Sequence, residues 1–300
     1  MKQLYKEQVE LLLAVLPEVA KEDCFALHGG TAINLFIRDM PRLSVDIDLT
    51  FVPFEDRESS LNQITIGLER ITQNVSKVIS DAHVQQKPDV GKLLISRKHS
   101  TIKIEINLVN RGVLANSEQR ILCPEAQEQF NAYCVIPVVP FGQLFGSKIC
   151  AALDRQHPRD LFDVRYLLNN EGFSDEVKTG FLLTLLSSNR PFHEILNPNL
   201  IDQRKTMSTQ FEGMSEELFS YEEFGETRDS LINTIHQSLS DQDKAFLLSV
   251  LNLEPAWEIY DFERFPAVQW KLQNLRTLKE SNRTKYDEQF KTLEILFNSP

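Results

Sequence analysis

Three hundred residues with a net charge of −11 are long enough to bury one large core or two modest ones, and too acidic overall for a generally basic nucleic-acid surface. Hydrophobic content of 42% and charged content of 25% are ordinary for a globular chain and exclude disorder as its default state. No apolar run approaches the roughly 20 residues needed to cross a bilayer, and MKQLYKEQVELLLAVLPEVAKE reads as an amphipathic helix, not a signal peptide, so a cytoplasmic location with no membrane partner is expected.

Residues 3 to 21 place Leu4, Leu11, Leu12, Val15 and Val19 at mostly helical spacings, which predicts a first helix packed on the core. The stretch from Leu27 to Thr50, LHGGTAINLFIRDMPRLSVDIDLT, then combines a turn, a helix-length segment and a strand. Gly29 and Gly30 allow a sharp turn and close approach of a ligand, and Thr31 offers a hydroxyl where the next helix starts. A helix start of this kind suits phosphate. Ile33, Phe36, Ile37 and Met40 give Ala32 to Met40 one apolar helical face, ending at Pro41. Val45 to Phe51 alternates, with Val45, Ile47, Leu49 and Phe51 on one face and Asp46, Asp48 and Thr50 on the other. Two carboxylates whose Cα atoms are about 6.5 Å apart on one strand face suit hard divalent cations, which bind carboxylate and phosphate oxygen together.

Further on, Leu61 to Ser80 carries Leu61, Ile64, Leu68, Ile71, Val75 and Ile79 at spacings of three and four, which predicts a further helix. Gly91 and Lys92 lead into Leu93 to Ser96, and a polar turn at Lys98 to Ser100 precedes a strand from Thr101 to Val109. On that strand Ile102, Ile104, Ile106 and Leu108 face one way, and Lys103, Glu105 and Asn107 the other. Glu105 is then a third carboxylate to set beside Asp46 and Asp48, or else a solvated residue of an amphipathic strand. Residues 110 to 140 read as loops with one short strand, Tyr133 to Val139, sealing an edge. In FGQLFGSKICAALDRQHPRDLFDVRYLL, Lys148 and Arg155 project together from one helix, and Pro158 opens the next, placing Arg159, Asp160 and Asp163 near its start. Read by themselves, these charges fit an ion-pair network tying two helices.

From Asn169 onward the pattern is almost wholly helical, with Leu231, Ile232, Ile235 and Leu239 on one face and a capped start at Ser240-Asp241. Met214 to Glu226 is an acidic run with interleaved aromatics, read as a solvated helix face, and Trp257 and Trp270 as core residues of a helical domain. Cys24, Cys123, Cys134 and Cys150 show no paired spacing and are read as structural thiols. The six histidines form no metal spacing, and His28 is read as packing or hydrogen bonding beside the glycine pair.

Gly29-Gly30-Thr31 followed by a helix and Asp46-Ile47-Asp48-Leu49 resembles the nucleotidyltransferase superfamily, with Thr31 where Ser is usual and a longer gap before Asp46. GGTAINL with RLSVDIDL, and then Lys148, AspArg and ProArgAspLeuPheAsp, resembles more narrowly the AbiEii-type toxin family of type IV toxin-antitoxin and abortive-infection systems. The resemblance implies an α+β chain: a polymerase-beta-like core, its mixed sheet flanked by helices, over residues 1 to 168, and an α-helical C-terminal domain over 169 to 300. It implies Mg²⁺ or Mn²⁺ held by Asp46, Asp48 and Glu105, an NTP contacted by Gly29, Gly30, Thr31, Lys148 and Arg155, and Asp160 as a further essential acid. It also implies a bacterial growth-inhibiting toxin that transfers a nucleoside monophosphate to RNA, with transfer RNA as the candidate acceptor, countered by an antitoxin that need not touch it.

RNA binding would need a local basic cluster, for which Lys92, Arg97, Lys98 and Lys103 are the candidates. A small-molecule nucleotidyltransferase of the aminoglycoside-modifying kind and a nucleotide-binding regulator without turnover stay open as alternatives. A bare Asp-x-Asp also occurs in sugar transferases, but the upstream Gly-Gly-Thr and helix fit the nucleotidyltransferase order instead.

Overall fold

A computed structural model describes residues 1–298. The chain divides into two compact units, Met1–Leu144 with Thr206–Phe219, and Phe145–Lys205 with the chain from Ser220 onward. Residues 145 to 168, grouped by the sequence reading with the first domain, thus lie in the second unit, where Gly146 meets the helix Asp175–Ser187.

The first unit is built on a mixed seven-stranded sheet of β1 (Phe25–His28), β2 (Asp46–Phe51), β3 (His83–Lys87), β4 (Lys92–Arg97), β5 (Ser100–Ile106), β6 (Glu118–Ile121) and β7 (Val135–Val138), in the order β3-β4-β5-β2-β1-β7-β6. β2 runs parallel to β5 and β1 parallel to β7; the remaining neighbours are antiparallel. The alternation seen in sequence places Ile47, Leu49, Phe51, Leu93, Ile95, Ile102, Ile104 and Ile106 in the core. Helices Gln3–Val19 and Arg57–Val78 pack on this unit's strands, the second bringing Gly67 against the Phe25 ring, which stands edge-on to Phe51 at 6.2 Å.

Four local departures from the sequence reading have physical causes. The helix expected over Ala32 to Met40 is an α-turn at Gly29–Ala32 that widens into a π-turn at Ile33–Ile37, and Met40 turns out of it with φ 50°. The strand expected to reach Val109 stops at Ile106, because the Asn107 side chain accepts hydrogen bonds from the amides of Val109 and Asn110, both at 2.9 Å. Within 110 to 140, β6 and the helix Pro124–Phe130 join β7, and it is β6, not β7, that forms the sheet edge. Edge strands β3 and β6 are largely polar and carry no apolar alternation to reveal them.

The gap before Asp46 is a braced loop. Leu43 N–H donates to Met214 O at 2.8 Å, Ser215 Oγ donates to Pro41 O at 2.9 Å, and Arg42 bridges to Ser215. The acidic run read as one solvated helix face is therefore divided. Met214 and Phe219 are buried in the first unit, and Ser220 begins a new helix, Tyr221–Ser238, with a capping box to Glu223.

The second unit is helical, and Ser240 caps Asp241–Leu251 as its sequence indicates. Trp270, expected in the core, is exposed. The four cysteines are free, and burial pushes their thiols up, Cys24, Cys123 and Cys134 to about 11 and Cys150 to about 12. Among the described residues no helix is long and apolar enough to cross a membrane.

In the helix Phe141–Arg155, a Cβ at Gly146 would overlap the backbone at Gly180 and Phe181. Gly146→Val should therefore destabilise the protein by about 1–3 kcal/mol, as overpacking does. The check is a lower urea midpoint at unchanged m-value, against no loss for the same substitution at half-buried Gly225, where an added Cβ meets no atom within 4 Å.

Candidate active site

Three elements of the first unit bring its site together. β1 ends at His28, and Gly29 turns the chain with φ +70°, a conformation that side chains other than glycine's rarely adopt. A Cβ at Gly29 would overlap the Asp48 carboxylate, so the bare glycine leaves room for that group beside the turn. Thr31 is wholly buried, and its hydroxyl donates to Asp46 O at 2.5 Å and lies 3.0 Å from Ser44 Oγ. The threonine thus ties the turn to the start of β2, and its hydroxyl is spent on the backbone that carries Asp46. Gly30 O accepts from Asn34 Nδ2 at 2.9 Å.

Strand register does the rest. Asp46 pairs with Lys103 and Asp48 with Glu105 across the parallel β2–β5 ladder, His28 pairs with Asp48 across β1–β2, and Lys92 pairs with Glu105 across β4–β5. One row across four strands therefore reads Lys92, Glu105, Asp48, His28, with Lys103 and Asp46 in the next row. His28 Nδ1 is 2.9 Å from Thr50 Oγ1, the hydrogen-bonding role that the sequence allowed it.

Glu105 is gripped by two lysines, Lys92 Nζ at 2.7 Å from Oε1 and Lys103 Nζ at 2.6 Å from Oε2. Partial burial pushes the Glu105 carboxyl up, but hydrogen bonds from Lys103 and Lys92 outweigh it and hold the group below its ordinary value. For Lys103 burial works downward, and the Glu105 hydrogen bond with the charges of Asp46, Glu105 and Asp48 outweighs it, raising the ammonium above its ordinary value. Of the four basic residues suggested as an RNA contact, Lys92 and Lys103 thus pair with Glu105, and Arg97 pairs with Asp81 at 2.9 Å. Sequence shows Lys103 on the Glu105 face, two residues away, and offers Lys92 as a basic candidate, but the pairing of Lys92 with Glu105 is visible only once β4 and β5 are in register.

The donor chemistry suits a hard divalent cation: three carboxylates, two on one strand face and one directly across, with the Asp48 oxygen in a cradle that a Cβ at Gly29 would fill. Glu105 is turned to its lysines, and among the described residues no three acidic, His or Cys side chains converge closely enough to hold an ion.

The remaining predicted residues meet in the second unit. Lys148 Nζ lies 2.9 Å from Asp160 Oδ1 and 3.1 Å from Asp163 Oδ2, and Arg155 donates to Asp160 from Nε at 2.6 Å and from Nη2 at 3.1 Å. Asp160 and Asp163 are 1% exposed, and the helix Pro158–Asn170 offers both to the helix carrying Lys148. Burial pushes the Asp160 carboxyl up, and the Lys148 charge with the Arg155 hydrogen bonds overcomes it, leaving the group well below the usual carboxylate range. Lys148, Arg155 and Asp160 are thus brought together, and Asp163 joins them.

A mixed sheet with two carboxylates on one strand face, one of them opposite a third on the neighbouring strand, beside a Gly-Gly turn, defines a nucleotidyltransferase-type core. The profile of the family described as "Nucleotidyl transferase AbiEii toxin, Type IV TA system" matches residues 10–274, and the chain belongs to that family. It is accordingly a nucleotidyltransferase toxin, which implies an NTP substrate and a cognate antitoxin. The fold is also that of MenT4, the nucleotidyltransferase toxin Rv2826c of Mycobacterium tuberculosis H37Rv, with a TM-score of 0.59 at 13% identity over 97% of this chain and 95% of that one. No curated protein matches the chain.

The folded Asp160 carboxyl lies below its unfolded value, so its contribution to stability is present above the ordinary Asp range and is lost as pH falls through the folded value. Asp160→Asn, which leaves Lys148 short of one buried partner, should cost about 3–5 kcal/mol at pH 7. Urea unfolding from pH 7 to pH 2 should show the gap between wild type and variant constant near neutrality and narrowing as pH falls below the ordinary Asp range. A constant gap across that range would show that the charge of Asp160 contributes nothing.

Proposed function

We propose that the protein transfers a nucleoside monophosphate from an NTP to a hydroxyl of RNA, with transfer RNA as the acceptor and Mg²⁺ as the metal in the bacterial cytoplasm. The observation carrying this reading is the register that sets Asp48 opposite Glu105, with Asp46 two residues along the same face and the Gly29 turn against Asp48. The acceptor hydroxyl loses its proton by way of Glu105 to solvent, its oxygen bonds to the α-phosphorus, the α–β phosphoanhydride breaks, and pyrophosphate leaves. A divalent cation supplies the positive charge that phosphoryl transfer needs around the triphosphate. Asp46 and Asp48 hold it, Thr31 and the braced loop fix the backbone of Asp46, and Glu105 completes the site and orients the attacking hydroxyl. Gly29 and Gly30 let phosphate approach the backbone where the helix starts. Within the second unit, Asp160, which anchors Lys148 and Arg155, is an acid on which activity depends.

Labelled-NTP transfer on total cellular RNA, with each of the four nucleotides and with aminoglycosides as a parallel acceptor, tests the reading. Asp48→Asn should lower transfer by about 10²–10³-fold, as loss of a charge-stabilising group does, with an unchanged unfolding midpoint. Full activity of that variant would refute the mechanism, and label on the aminoglycosides alone would refute RNA as the acceptor.

A further inference from the structure

The two lysines on Glu105 have a function that the carboxylates alone do not explain. One ammonium sits on each oxygen of a single carboxylate, from Lys92 at 2.7 Å and Lys103 at 2.6 Å, so the pair delivers two positive charges, the charge of one divalent ion. Both arise from fixed register positions. Lys92 faces Glu105 directly from β4, and Lys103 faces Asp46 from β5, so Lys103 stands between the carboxylate of its own strand and those of β2. The charges of Asp46 and Asp48 act on Lys103 together with that of Glu105. Side-chain exposures of 37% for Lys92 and 34% for Lys103 leave both ammonium groups at the surface of the row, able to swing without opening the core.

We propose that Lys92 and Lys103 are counter-ion placeholders for the divalent cation. In the metal-free protein they hold Glu105 in the row and balance the acidic face. When Asp46 and Asp48 take up the cation, Glu105 joins them only by leaving the lysines. The two ammonium groups are then released where the substrate's phosphate charge arrives, so that carboxylates pass to metal as lysines pass to phosphate. Free metal consequently binds against competition, and metal arriving with a polyphosphate does not. This rests on the nucleotidyltransferase reading of the site, and the lysines act in it as positioning residues, through Glu105.

Two measurements on the full chain test it, with Mn²⁺ alone as the probe. By electron paramagnetic resonance titration, Lys92→Met/Lys103→Met should bind Mn²⁺ about tenfold more tightly than wild type, as expected when two partly exposed ion pairs no longer compete. Lys92→Arg/Lys103→Arg should bind as wild type does. Lys77→Met removes an exposed charge from the helix Arg57–Val78 and should also leave the affinity unchanged. In wild type, Mn²⁺ should speed acetic anhydride acylation of Lys92 and Lys103 several-fold, read residue by residue by mass spectrometry, and leave Lys77 unaffected. Inorganic tripolyphosphate added with the metal should protect the two lysines again.

Unchanged or weaker Mn²⁺ binding in the double methionine variant, an equal gain in Lys77→Met, or acylation indifferent to Mn²⁺ would each overturn the proposal. Asp48→Asn separates this from failure of the underlying reading. If that variant binds Mn²⁺ as wild type does, the metal site itself is misassigned and the proposal falls with it. If it loses Mn²⁺ while the lysine variants change nothing, the site stands and only the placeholder role is lost.

Discussion

Everything proposed for this protein depends on one backbone constraint, the parallel pairing of β2 with β5 that sets Asp48 opposite Glu105. Side chains alternate along a strand, so a slip of one residue in that ladder would turn every carboxylate into the apolar face and every isoleucine out of it. The burial of Ile47, Ile102, Ile104 and Ile106 therefore fixes the chemistry of the opposite face. Further ties hold the register locally: the Thr31 hydroxyl on Asp46 O, the glycine whose missing side chain admits Asp48, and the 206–219 segment bracing the loop before β2. Core packing and site geometry are two faces of the same sheet.

The two units handle charge differently. In the first, the acidic row is partly exposed and balanced by lysines that share Glu105, an arrangement in which pairings are weak and exchangeable. In the second, Lys148 is buried between Asp160 and Asp163, with Arg155 on the outer side, and each partner compensates the desolvation of the others. An exchangeable pairing suits a place where ligands come and go. A buried one suits helices that must keep their spacing, which gives the Lys148–Asp160 pair a structural task.

Sequence made the first unit's chemistry legible because its signals are periodic and local. Asp46 and Asp48 share a strand face by simple alternation, Glu105 sits on a strand of the same pattern, and Gly29-Gly30-Thr31 is contiguous with the helix it starts. The α+β class and the family follow from these residues and from the Lys148 to Asp163 segment. What stayed hidden is set by partners distant in the chain. Lys92 meets Glu105 only through the β4–β5 register, and β3 and β6 are polar edge strands without an apolar pattern. Thr31 looks in sequence like a hydroxyl offered to a ligand, whereas burial shows it spent on Asp46 O. The 206–219 segment rejoins the first unit from more than 60 residues beyond its end at Leu144, a long-range closure that no window of sequence reveals.

The central claim is that Asp46, Asp48 and Glu105 form one metal and nucleotide site on the polar face of the sheet. Its most direct test is a crystal of the wild-type chain soaked with Mn²⁺ and a non-hydrolysable NTP, with anomalous scattering used to locate the metal. A manganese peak is expected within coordination distance of both Asp46 and Asp48, with Glu105 turned from Lys92 and Lys103 toward it and triphosphate oxygens beside the Gly29 turn. Nucleotide bound elsewhere, or manganese away from these carboxylates, would contradict that claim.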